Sequence, residues 1–291
     1  MSIIGLHHVT AISGAPQINC DFYTGVLGLH LVKRTVNFDD PGVYHLYFGD
    51  TAGRPGTIMT TFPFPNARPG RAGVGATSAV AFSTPDPEAR AEALAAAGVA
   101  VSVEERFGTP VWRLADPDGL ALELVTGAEG IDGVTLWLRD PEPTARLLSE
   151  VFGYSVGPEV REEAGVRLRL TLPGNGIGRV IDLWRSDAAP APRGGAGSVH
   201  HIAFRARDRD HQNQLADELR ARGEHPTERK DRNYFESVYF REPGGVLFEI
   251  ATDAPGFAID EPSGALGQAL KLPAWLERYR PQIETALPKL S

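Results

Sequence analysis

The sequence predicts an α+β protein built from four copies of one strand–helix–strand unit, with a short helix after the last copy. Three observations predict it. Four short alternating runs recur along the chain. Each is followed by a helix signal and then a glycine. The second and fourth copies end in the same acidic strand.

The first copy opens on Leu6-His7-His8-Val9-Thr10. Pro16 marks a helix start, and Ile18, Phe22 and Val26 at four-residue spacing are expected on one face. The second opens on Thr77-Ser78-Ala79-Val80-Ala81-Phe82, with Thr84 as the expected N-cap and Pro85 at the first helical position. The third opens on Gly133-Val134-Thr135-Leu136-Trp137 and repeats the cap with Asp140 and Pro141. The fourth opens on Val199-His200-His201-Ile202-Ala203-Phe204 and continues through Asp208, Leu215 and Leu219. Gly28, Gly98, Gly153 and Gly223 stand where a left-handed C-terminal cap is expected.

Strand-like runs separated by turn residues come next, as in Val43–Phe48 and Val166–Leu170. Asp116-Pro117-Asp118-Gly119 leads into Leu120-Ala121-Leu122-Glu123-Leu124. Glu242-Pro243-Gly244-Gly245 leads into Val246-Leu247-Phe248-Glu249-Ile250 in the same way. The alternation turns each Glu away from its apolar neighbours. Repetition stops near Asp253. Beyond it, Trp275, Tyr279 and Ile283 at four-residue spacing predict a C-terminal helix that covers a sheet end or meets a second subunit.

Composition bounds the function. A chain of 291 residues that is 42% hydrophobic and 23% charged can bury a sizeable core. A net charge of -8 argues against a general nucleic-acid binder, which needs a basic face. Cys20 is the single cysteine, which excludes an intrachain disulfide framework and a multi-cysteine zinc site. The opening residues lack the basic and apolar regions of a signal peptide, and no apolar run approaches bilayer length. The expectation is a cytoplasmic protein with no membrane partner; the sequence is compatible with a homo-oligomer.

Corresponding positions of the copies can be compared directly. The opening strands carry His8, Ala79, Gly133 and His201, and the closing strands of the even copies carry Glu123 and Glu249. The offsets are nearly constant: 201 − 79 = 122, 133 − 8 = 125 and 249 − 123 = 126. One set of equivalent positions is therefore His8, His201 and Glu249, and the other is Gly133, Ala79 and Glu123. The first set can bind a metal; the second has lost both imidazoles. Two imidazoles and one carboxylate leave the opposite face of a cation open, as in non-haem Fe(II) oxygenases. Zinc also accepts that set. A site shared by copies one and four requires those copies to pair and leaves copies two and three for each other.

Glu123 is expected to be satisfied by a partner or solvated. In regular strands His7 and His200 face away from His8 and His201, unless a bulge redirects them. Tyr239 lies ten residues before Glu249, about one hairpin away, where its phenol reaches a bound substrate or packs as an ordinary core tyrosine. Arg232 precedes it in the same segment.

Several segments together resemble a known family: Leu6–Thr10, Leu31–Pro41, Tyr44–Asp50, Val199-His200-His201 and Tyr239-Phe240-Arg241 through Phe248–Thr252. The chain resembles the hydroquinone-type ring-cleaving dioxygenases of the vicinal oxygen chelate superfamily, which also includes glyoxalase I and extradiol dioxygenases. The resemblance implies four βαβββ modules forming two glyoxalase-like half-barrel pairs, plus the C-terminal helix. It implies glyoxalase-like domains at 1–127 and 128–255, with a tail at 256–291.

It further implies Fe(II), or Mn(II), held by the second His of each pair and the Glu, here His8, His201 and Glu249. Zn(II) fits the same ligands. His7, Tyr239 and Arg232 match family residues associated with the substrate, and His200 matches the first His of the second pair. The implied activity is an oxidoreductase of aromatic catabolism that cleaves a hydroquinone or catechol ring with O2. Two other readings stay open. A glyoxalase-like isomerase or thiol-conjugate lyase needs a fourth ligand, and the matching strand Thr57-Ile58-Met59-Thr60-Thr61 offers no Glu, Gln or His. A metal-free binding or resistance protein would not need the intact triad.

Overall fold

The computed structural model describes residues 2–291 except 187 and 189. Copy one comprises β1 (Leu6–Ser13), α1 (Pro16–Asp21), β2 (His30–Asn37), β3 (Asp40–Gly49) and β4 (Ile58–Pro63). Copy two comprises β5 (Ala76–Thr84), α2 (Pro87–Ala96), β6 (Ser102–Arg106), β7 (Thr109–Ala115) and β8 (Ala121–Thr126). Copy three comprises β9 (Gly130–Trp137), α3 (Glu142–Glu150), β10 (Ser155–Glu162), β11 (Gly165–Thr171) and β12 (Val180–Ser186). Copy four comprises β13 (Ser198–Ala206), α4 (Arg209–Ala221), β14 (Lys230–Asp231), β15 (Glu236–Arg241) and β16 (Leu247–Thr252). The tail carries α5 (Arg280–Ala286).

Two curled eight-stranded sheets result. The first runs β14-β15-β16-β13-β1-β4-β3-β2, and the second runs β10-β11-β12-β9-β5-β8-β7-β6. Copies one and four therefore share a sheet, as do two and three. The α+β class and the four βαβββ modules agree with the sequence pattern. Alternate strand residues such as Val9, Phe248, Ile250, Leu122 and Val134 enter one continuous apolar core with the helices. The other face of each strand turns into its half-barrel, where buried polar side chains sit among a second, smaller apolar cluster that includes Tyr47, Ile58, Ala203 and Phe235.

The chain passes between the barrels at one place. Residues 64–75 lead out and residues 190–197 lead back, side by side. Gly70 N–H donates to the Ala196 carbonyl at 2.7 Å, and Arg71 and Arg193 exchange two backbone bonds.

Several local expectations differ from the structure. Asp86, not Thr84, caps α2, accepting from the Ala89 N–H at 3.0 Å, and Pro87 follows it. The polar–Pro signal occurs twice in succession, and Thr84 stays in the β-ladder opposite Thr126. In α3 Pro141 takes the cap position, and Asp140 accepts from the Glu142 N–H. Ile18 is 57% exposed instead of sharing a buried face with Phe22. A π-turn over Phe22–Val26, closed by Leu27 N–H to the Phe22 carbonyl, breaks the four-residue phase and buries Tyr23 and Leu27.

The tail helix starts only at Arg280, so Trp275 and Tyr279 stay exposed and Ile283 alone of the three turns inward. Trp275 packs edge-on against Phe38. The tail lies along copy one, where Lys271 N–H donates to the Arg34 carbonyl and Tyr44 donates to the Pro288 carbonyl. The fully buried Lys33 ammonium pairs with Asp260 and Glu261 of the tail. No helix among the described residues is long and apolar enough to cross a membrane.

Candidate metal centre

β1 and β13 lie antiparallel at the middle of the first sheet, with Thr10 opposite His201 and His8 opposite Ala203. β16 runs parallel to β13 and puts Glu249 beside Ala203. These registers bring His8, His201 and Glu249 together inside the half-barrel, all buried. His8 Nε2 lies 3.2 Å from His201 Nε2 and 3.5 Å from Glu249 Oε2, and His201 Nε2 lies 2.9 Å from the same oxygen. Donors about 2.1 Å from one cation are separated by about 3.0 Å in cis-octahedral and 3.4 Å in tetrahedral geometry, so this triangle fits either.

Glu249 Oε1 accepts from the Ser237 hydroxyl. Oε2 is buried and, although both imidazole nitrogens lie close, accepts no well-aligned hydrogen bond. Burial alone would push the Glu249 carboxyl up. The facing His8 and His201 rings outweigh that and hold it well below the usual carboxylate range. Burial lowers the His201 imidazole. The donor set is two imidazole rings and one carboxylate, with an orphaned oxygen at its centre. A divalent cation fits it.

His7 and His200 sit on β-bulges. The ladder skips one residue between Leu6 and His8, and another between Val199 and His201. Each bulge swings the first histidine of its pair against the second: His7 Nδ1 lies 2.9 Å from His8 Nδ1, and His200 Nδ1 lies 2.7 Å from His201 Nδ1. His7 also bonds the Thr252 backbone, and burial lowers its pKa well below the usual imidazole value. A neutral His7 that donates to Thr252 through Nε2 must accept at Nδ1. An acceptor at His7 Nδ1 favours the His8 tautomer protonated at Nδ1, whose Nε2 lone pair can hold a cation.

A cavity of about 450 Å³ opens on the triad. Ile12, Phe38, Phe62, Phe64 and Leu247 give it apolar walls, and Arg232, Tyr239, His200 and His45 give it polar groups. Tyr239 lies opposite Glu249 in the β15–β16 ladder. Its hydroxyl accepts from Arg232 Nε at 3.1 Å, and Arg232 Nη2 reaches Asp39 Oδ2 at 3.0 Å. His200 is exposed to the cavity, while His7 does not line it. Burial, then His201, lowers His200 to about 4, so it is neutral at pH 7.

The comparisons with known proteins agree with this architecture. The family model described as the Glyoxalase/Bleomycin resistance protein/Dioxygenase superfamily matches residues 5–124 and 130–250. The chain belongs to that superfamily. Its relatives include a Bacillus subtilis (strain 168) protein named "Putative ring-cleaving dioxygenase MhqO", 44% identical over 98% of this chain and 96% of the relative. A chlorohydroquinone/hydroquinone 1,2-dioxygenase of Sphingobium indicum is 34% identical over 96% of this chain and 94% of its own length. A crystal structure titled as a "putative dioxygenase" from Bacillus subtilis superposes with a TM-score of 0.92 at 42% identity, covering 100% of this chain and 98% of that one.

Within this superfamily chain, the triad draws on both matched segments: His8 from the first, His201 and Glu249 from the second. The position equivalent to Glu249 in copy one is Thr60, which stands beside Thr10 in the β1–β4 ladder. Its hydroxyl bonds Thr10 and His45 Nε2, both at 2.8 Å, so it is engaged away from the triad. His45 Nδ1 in turn bonds the Tyr47 hydroxyl. The sequence pattern assigns no role to His45, Ser237 or Asp39, although His45 and Asp39 fall in segments that carry the family resemblance. Each reaches the site through a hairpin register or turn that the residue pattern alone does not set.

Proposed function

We propose that this chain is a metal-dependent ring-cleaving dioxygenase for hydroquinone- or catechol-type aromatics, with Fe(II) held by His8 Nε2, His201 Nε2 and Glu249 Oε2. The observation that carries the reading is the buried, unpartnered Glu249 oxygen focused with two imidazole nitrogens at the floor of an aromatic-walled cavity. The named activities of the relatives support the reaction class. A bound Fe(II) supplies acidification of a substrate hydroxyl and an electron path between the ring and O2.

The chain's own residues do the rest. Phe62, Phe64 and Phe38 hold a planar ring and exclude water. With a cation on His201 Nε2, the His201 proton sits on Nδ1 and is donated to His200 Nδ1 at 2.7 Å, which leaves the His200 proton on Nε2 to donate to a substrate oxygen. Arg232 and the Tyr239 hydroxyl it bonds stabilise negative charge on the ring oxygens. His7 orients His8 from behind and does not touch substrate. Both atoms of O2 enter the product as the ring bond beside the hydroxyl breaks, and no external reductant is needed. Thr60 at the fourth-ligand position disfavours the four-ligand isomerase reading.

The test is anaerobic reconstitution with Fe(II), followed by oxygen uptake on a panel of hydroquinones and catechols. One O2 consumed per ring is expected, with loss of uptake in His8→Ala and Glu249→Ala. Activity surviving in those variants, or no uptake with any substrate, sinks the proposal.

A further inference from the structure

The two barrels place the same arginine in two different states. Arg106 ends β6 and Arg232 follows β14, at equivalent places on the two edge strands: Glu104 pairs with Val111 in β6–β7 as Lys230 pairs with Ser237 in β14–β15. Arg113 faces Glu123 in the next ladder as Tyr239 faces Glu249. The offset is 126 throughout: 232 − 106, 239 − 113 and 249 − 123. Backbone geometry agrees. The non-glycine residues of positive φ among the described residues are Phe107 and Asn233, each one residue past its arginine.

In the second barrel Arg106 has fallen inward. Its guanidinium grips Glu123, the equivalent of Glu249, with bonds of 2.8 and 2.9 Å. In the first barrel Arg232 has the same reach, and a grip on Glu249 would occupy the carboxylate meant for the cation. No ion pair joins Arg232 to Glu249 among the described residues. Two contacts hold it off: the Tyr239 hydroxyl on Nε, whose place Arg113 takes in the second barrel, and Asp39 on Nη2, across the seam between β14 and the β2–β3 turn. Arg106 also has carboxylates beside it, Glu104 and, at 4.0 Å across the seam, Glu162, yet it keeps its grip on Glu123, so the missing hydroxyl is the main difference. Arg113 stands where Tyr239 would be; it offers Arg106 no acceptor and pairs with Glu104 instead.

We infer that Asp39 and Tyr239 are positioning residues that tether Arg232 away from Glu249 and so keep the metal carboxylate free. The inference rests on the metal site proposed above. Asp39 is 64% exposed at its side chain, so its removal leaves the core intact.

Titration calorimetry with Co(II) alone tests it on the full chain. Asp39→Ala/Tyr239→Phe is expected to weaken Co(II) binding at least about tenfold, the worth of one bidentate charge-assisted pair. Adding Arg232→Met is expected to restore affinity to within about twofold of the parent, because the competitor is gone. A general loss of structure would not be rescued by a third substitution. A double variant that binds Co(II) as tightly as the parent overturns the tether, and so does a triple variant that stays weak. A parent chain that binds no Co(II) removes the metal site itself, which separates the two failures.

Discussion

One barrel of this chain keeps a carboxylate unpaired at its centre, and the other has neutralised the same position. Glu249 presents a bare oxygen to two imidazoles, whereas Glu123, equally buried, accepts two bonds from Arg106. Asp182 replaces Thr60 and is bound by Arg169 and Arg167. Even the bulges are kept. The ladder skips Ser78 and Asp132 where the first barrel skips His200 and His7. The backbone frame of the centre therefore survives without the triad, and side chains alone decide whether it is an open cluster or a filled interior. A buried charge is tolerated when paired, so an orphaned one at a matched position marks function rather than stability.

The comparison can be broken or sharpened by experiment. The largest effect is expected at the ligands: Glu249→Ala should leave no stoichiometric metal by elemental analysis, whereas Glu123→Ala should leave the metal content unchanged. Equal metal loss in both would erase the distinction between the barrels. Next, Arg106→Met leaves Glu123 buried and unpaired and should cost about 3–5 kcal/mol in urea unfolding. Replacing both partners with apolar residues should recover most of that loss. His7→Ala removes the group that orients His8 and should weaken metal affinity about 10–100-fold with little change in unfolding of the metal-free chain.

The smallest effect concerns Asp132, which takes the place of His7. Burial, opposed by Arg169 and reinforced by Asp182 and Glu123, raises its carboxyl to about 6 from a usual 3.8. The folded state thus binds this proton more tightly than the unfolded chain. Stability is forfeited as pH rises from about 4 to 6 and stays forfeited above it. Asp132→Asn should therefore stabilise the protein by about 1–2 kcal/mol at pH 7, with the gain vanishing below pH 4. A gain that persists at pH 3 would show that ionisation is not its source.

Much of this contrast is legible in the residues. The triad emerges from offsets between copies, because each copy repeats one strand register. The same arithmetic links Arg106 to Arg232, yet an offset does not say which way a long side chain turns. The bulges at His7 and His200 are hidden because a skipped ladder bond leaves no trace in residue type. Thr84-Pro85 and Asp86-Pro87 offer the same helix-start pattern, and only the length of β5 decides between them. The outward turn of Ile18 follows from one widened helical turn, which a fixed spacing cannot express. Gly133 carries a clearer message than its bare identity suggests. A Cβ there would lie 2.1 Å from the Val180 carbonyl oxygen, so no histidine fits without moving β12.

The single passage between the barrels sets an order in time. All strands of the second sheet lie between residues 76 and 186, so on a growing chain that barrel can close while β13 to β16 are still unmade. β1 meanwhile waits with one edge open, its histidine in place and its partner strand more than a hundred residues away along the chain. The barrel without the triad is the first to be complete, and the one that holds it is finished only when Glu249 arrives.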